Sequence, residues 1–114
     1  MGILMSELTE LQNHLKLLNT QVDLKKKTER LMDNPDFKAV ILDGFCRDEM
    51  QRNMGLAVCD KLPADTRDLC NQLAKASAAL HNYLNVNSQL GINAEEDIEA
   101  VNTRIEELRV SGEE

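Results

Sequence analysis

A chain of 114 residues and 12.8 kDa fits a single domain and leaves no room for a second. Three aromatics (Phe37, Phe45 and Tyr83), no Trp, five Gly and two Pro argue against sheets and their turns, so Leu, Val, Ile, Met and Ala must build the core. Thirteen bases against twenty acids give a net charge of −7, which disfavours a nucleic-acid binder, and a hydrophobic fraction of 42 % excludes a disordered tail.

The first predicted element is a helix over residues 4–32, a stretch free of Gly and Pro. Leu4, Leu8, Leu11, Leu15, Leu18 and Val22 recur at alternating spacings of four and three, the signature of a coiled-coil seam. Leu17, Leu24 and Leu31 recur every seven residues as a second stripe, and these three are the candidate partner-binding residues. Lys25-Lys26-Lys27 with Arg30 is the one basic cluster and reads as a solvated helix face. Asp33-Asn34-Pro35 ends this helix, because Pro disfavours α geometry in the residue before it.

The same tripeptide opens a short helix over 35–43, with Asn34 as N-cap, Pro35 at the first position and Asp36 facing the dipole. Asp43-Gly44 is read as its stop, and a second short helix comes next over 45–60. Phe37, Ile41 and Phe45 are the candidate core of this region, expected to meet the stretch from Leu73 to Leu80. Pro63 opens the last helix, over 64–109. Its apolar or small positions are taken as Leu69, Leu73, Ala76, Leu80, Tyr83, Asn87, Leu90, Ala94, Ile98, Val101, Ile105 and Leu108, with a stutter near Ala94. Gly91 lies beside that irregularity, and a break into two helices there is the alternative.

Pairing Leu4 with Leu108 antiparallel sets Leu8 against Ile105 or Arg104, Leu11 against Val101 and Leu18 against Ala94. The expected fold is therefore all-α: one domain, an antiparallel helical hairpin with the two short helices at its closed end. Such a hairpin leaves an apolar stripe open, so an oligomer or docking onto a larger protein is expected. Residues 92–114 carry eight acids and two bases, and parallel copies of that end would repel each other.

The sequence offers no pattern for chemistry. Cys46, Cys59 and Cys70 show no zinc spacing and read as small buried residues of a reducing compartment. His14 and His81 lack a second ligand at useful spacing, and no phosphate-cradling glycine loop occurs. The expectation is a protein with no catalytic residue, no cofactor and no metal. The N-terminus fits no signal peptide and no stretch approaches a membrane span, so no membrane partner is expected.

One stretch is more distinctive than the heptads around it. Asn34, Asp36, Phe37, Lys38, Val40, Ile41, Gly44 and Phe45 match the pattern N-x-D-F-K-x-V-I-x-x-G-Y/F, with Glu49 and Arg52 supplying an E-x-x-R after it. In this the chain resembles a group of small phage-encoded helical proteins, usually of unassigned function. Tyr83 falls where that group has an aromatic pair, although Leu84 replaces the second ring. Such proteins tend to be encoded near head and packaging genes. The resemblance implies a virion or assembly role, in the cytoplasm of a bacterial host or in the virion, and no catalytic residue. A cytosolic chaperone or adaptor holding a client along the hairpin is the alternative.

Overall fold

The computed structural model describes the backbone from Gly2 to Glu113 and the side chains from Ser6 to Gly112. Every long element among these residues is helical and none is a strand, so the fold is all-α. Helix α1 spans Gly2–Asp33 and α4 spans Ala64–Glu113. Between them come α2 at Pro35–Phe37, a π-helix at Lys38–Glu49 and α3 at Met50–Ala57.

Helix α1 stops where the sequence expects, and Asn34 caps the start of α2. In extended geometry (φ −68°, ψ 123°), its Oδ1 accepts from the backbone N–H groups of Asp36 and Phe37, both at 3.0 Å. Those are two of the donors that a helix start leaves without an intrahelical partner.

The middle of the chain departs from the expected pair of short helices. Asp43-Gly44 is no stop: a terminating glycine adopts positive φ, and no described glycine does so. The chain instead stays helical from α2 through the π-helix into α3, which ends at Ala57, three residues short of the expected 60. Wider i→i+5 bonding accommodates Gly44, whose missing Cβ would lie 3.2 Å from the Ala39 carbonyl oxygen, five residues back. Ile41 to Phe45 are half-buried and Cys46 is buried. Partial cover over six successive residues exceeds one turn, whereas Lys38 to Val40, Arg47 and Asp48 at the two ends of the π-helix are exposed.

Helix α4 is continuous through Gly91, which settles the alternative of a break there. The contacts within the chain group into two compact units. The reason is geometric: contacts along extended helices are local, so each stretch belongs with what lies beside it. One unit comprises Met1–Lys27 with Asn87–Glu114, and the other Thr28–Val86.

In the first unit Leu18, Ala94, Val101 and Ile105 form the core, with Leu8, Leu11, Leu15, Val22 and Ile98 packed around them. Burying a branched apolar side chain contributes about 1.5–3 kcal/mol. The direction of the pair is recorded by two ion pairs. Glu7 near the start of α1 meets Arg104 at 3.0 Å, and Lys25 near its end meets Glu95 at 2.7 Å, which makes the helices antiparallel. The expected Leu4 partner of Leu108 lies outside the described side chains; Leu108 itself is buried.

In the second unit the buried residues are different in kind. They are Thr28, Cys46, Asn53, Cys70, Ala74, Ser77 and Leu84, small or polar apart from the last. Ser77 is fully buried and its hydroxyl donates to the Leu73 carbonyl at 3.2 Å. The Asn53 amide likewise donates to the Glu49 carbonyl at 2.9 Å. Both polar groups are thereby satisfied by their own helical run, which removes most of the cost of burying them.

Candidate interaction surface

The buried face of α4 is where the structure most alters the sequence reading. From Ala94 onward the expected seam is buried or half-buried: Ala94, Ile98, Val101, Ile105 and Leu108. Before Ala94 the expected Asn87 is buried and Leu80 half-buried, but the other covered positions sit one residue later than expected. Cys70, Ser77, Leu84 and Gly91 are buried, while Leu69, Tyr83 and Leu90 are exposed. With Ile98 and Ile105 these four form an unbroken seven-residue series, so the stutter disappears. Choosing the largest apolar side chains shifts the reading onto a neighbouring ridge. The uninterrupted spacing of the smaller residues is the signal that finds the true face.

Gly91 shows why small residues line it. A Cβ at this position would overlap the Lys25 side chain from its Cβ to its Cδ. Glycine therefore lets α1 approach α4 closely enough for the Lys25 stem to cross it and its ammonium to reach Glu95. The sequence places Lys25 on a solvated face with Lys26 and Lys27, yet only 15 % of its side chain is exposed. Covering the stem on Gly91 explains the difference.

The ridge left outside lies on α4 within the second unit. Leu69, Leu73, Tyr83 and Val86 keep 54, 40, 55 and 41 % of their surface exposed. Ala76 is exposed and Leu80 half-buried along the same line. Spacings of four, three, four and three from Leu69 to Tyr83 hold these side chains in one row. Between Leu69 and Val86 the only formal charge is Lys75. A solvated helix face ordinarily carries charge, so an apolar row with a single cation marks a surface suited to another apolar surface.

The residues singled out from sequence fall in both units. Leu17, Leu24 and Leu31 are exposed at 56, 41 and 46 %; Leu17 and Leu24 belong to the first unit and Leu31 to the second. Phe37, Ile41 and Phe45 are all half-buried in the second unit, where Cys46 is the buried member of the π-helix. The ridge from Leu69 to Tyr83, read from sequence as core, is the addition.

Electrostatics around these surfaces is local. Arg52 forks onto Glu49, with Nε at 3.0 and 3.1 Å from the two carboxylate oxygens, so the E-x-x-R pair is a salt bridge along one helical run. The hydrogen bond from Arg52 holds the Glu49 carboxyl below its ordinary range. Arg104 is held charged by hydrogen bonds from its guanidinium to Glu7 and Glu107. Burial pushes the Cys46 thiol up, which keeps it protonated and a weak nucleophile. All three cysteines are free, and His14 and His81 are exposed. Among the described residues no group of three His, Cys, Asp or Glu could hold a metal, and no helix is long and apolar enough to cross a membrane.

No protein-family model, no curated protein and no solved structure matches the chain.

Proposed function

We propose that this chain is a non-enzymatic phage virion-associated or assembly protein that acts through helix–helix packing, in an oligomer or on a larger viral protein. The observation that carries the packing half of this reading is the exposed row Leu69, Leu73, Tyr83 and Val86 on a nearly uncharged stretch of α4. The viral half rests on the resemblance of the segment from Asn34 to Phe45, with Glu49 and Arg52, to small phage-encoded helical proteins. On this reading the protein resides in the cytoplasm of a bacterial host or in the virion.

The experiment is quantitative mass spectrometry of purified particles beside the soluble fraction of the same lysate. A fixed copy number per particle is the expected result. Recovery from the soluble fraction alone, bound to a folding or secreted client, would replace this reading with the chaperone or adaptor.

A further inference from the structure

We propose that the exposed ridge of the second unit is a self-docking surface, on which α4 of one copy packs antiparallel against α4 of another. This rests on the helix-packing half of the function proposed above and not on its viral half. The row runs Leu69, Leu73, Ala76, Leu80, Tyr83, so it has the alternating spacing of a coiled-coil seam. An antiparallel two-fold partner that places Leu73 opposite the partner's Tyr83 also places Ala76 opposite the partner's Leu80. Leu80 then fills the space over the small side chain of the partner's Ala76 and Leu73 packs on the ring of the partner's Tyr83, each contact made twice by symmetry.

Charge selects this arrangement over its competitors. In the antiparallel register Lys75 comes opposite the partner's His81, and the two Lys75 side chains are offset by about 9 Å along the axis. Asp65 and Asp68 meet no acid, because residues 87–93 carry no charge. A parallel copy would set Lys75 on Lys75, Asp65 on Asp65 and Asp68 on Asp68, and would gather the acidic residues of 92–114 from both chains. A basic partner finds no acid anywhere between Leu69 and Val86, so the row offers it no complement.

The area suits a weak dimer. The four most exposed side chains supply a few hundred Å² of apolar surface per copy, below the ~800 Å² per partner of standard stable interfaces. A micromolar rather than nanomolar dissociation constant is expected.

Sedimentation equilibrium on the full chain, from low to several hundred micromolar, tests this. The wild type should approach twice 12.8 kDa as concentration rises. Leu73→Glu and Tyr83→Lys, each alone, should keep their helix content by circular dichroism and weaken the dimer at least ~50-fold, since each buries an unpaired charge. Mixing the two variants should restore the dimer, because the introduced carboxylate then faces the introduced ammonium across the antiparallel interface. A wild type that stays monomeric, an assembly other than two copies, or a dimer indifferent to Leu73→Glu would overturn the proposal. So would rescue of Leu73→Glu by Leu73→Lys instead of by Tyr83→Lys, which marks a parallel pair. Should a variant lose helix content, the wild-type mass decides alone. A monomeric wild type found at fixed copy number in particles would remove the self-docking and leave the virion role standing.

Discussion

The two units of this protein solve the same packing problem with opposite materials. In the first, Leu, Ile, Val and Ala from two antiparallel helices fill the seam, and ion pairs at Glu7–Arg104 and Lys25–Glu95 fix its direction. In the second, Cys, Ala, Ser, Thr and Asn occupy most buried positions, while Leu69, Leu73, Tyr83, Val40 and Met54 are exposed. In the first unit the heptad-spaced apolar residues are the core, while Leu17, Leu24, Leu90, Ile92 and Val110 lie off that seam and are exposed; in the second the heptad-spaced large residues of α4 are themselves mostly outside. The first unit covers its seam from within its own helices; the second leaves a row of large apolar side chains on α4 exposed.

Substitutions can break or sharpen this contrast. The largest effect belongs to the first unit: Ile105→Ala removes a buried branched side chain and should cost about 2–5 kcal/mol in urea unfolding. The equivalent truncation on the outer ridge, Leu73→Ala, should cost well under half of that in dilute solution, because much of its surface is already wet. Equal losses at the two sites would erase the distinction between core and ridge.

Glycines give a second comparison, with opposite signs. Gly91→Ala forces a methyl group into the Lys25 side chain and should destabilise by about 1–3 kcal/mol, read as a lower melting midpoint. Gly55→Ala, in α3 with nothing near the added carbon, should stabilise by about 0.5–1 kcal/mol. Two losses of similar size would show that the close approach at Gly91 is not what its small size serves.

Loss of the Asn34 cap is smaller and sits at the entry to α2. Asn34→Ala abandons two hydrogen bonds to backbone donors and should cost about 1 kcal/mol, seen as a shifted denaturant midpoint. A variant as stable as the wild type would mean that water satisfies those donors equally well.

The smallest effect is a pH dependence. The Arg52 hydrogen bond lowers the Glu49 pKa in the folded state, so its contribution is present above the unfolded carboxylate pKa and is lost as pH falls through the folded value. Glu49→Gln should melt slightly below the wild type at neutral pH, with the gap closing once pH drops below about 4. The pair is exposed, so the gap is small. A gap that widens in acid would contradict the sign.

How much of this is legible in the sequence divides along the same line. Leu8, Leu11, Leu15, Leu18, Ala94, Val101 and Ile105 are readable, since there the residues at alternating spacings of three and four are the packed ones and the antiparallel pairing comes from that spacing. The second unit is misread wherever size is taken as a proxy for burial. Ser77 and Cys70 attract no attention in a search for hydrophobic periodicity, yet both are buried. Asp43-Gly44 misleads for another reason: the pair is a strong stop signal, but a glycine also suits a π-helix whose carbonyl of residue 39 lies close to residue 44. Lys25 is hidden because its covered stem depends on a glycine sixty-six residues away in the chain.

Hydrogen exchange along α4 as a function of protein concentration tests the central contrast most directly. Amides from Leu69 to Val86 should gain protection as concentration rises into the dimeric range, while those from Ala94 to Leu108, already closed by α1, should keep the same protection throughout. Protection that rises equally in both stretches, or that rises from Ala94 to Leu108 alone, would contradict the account.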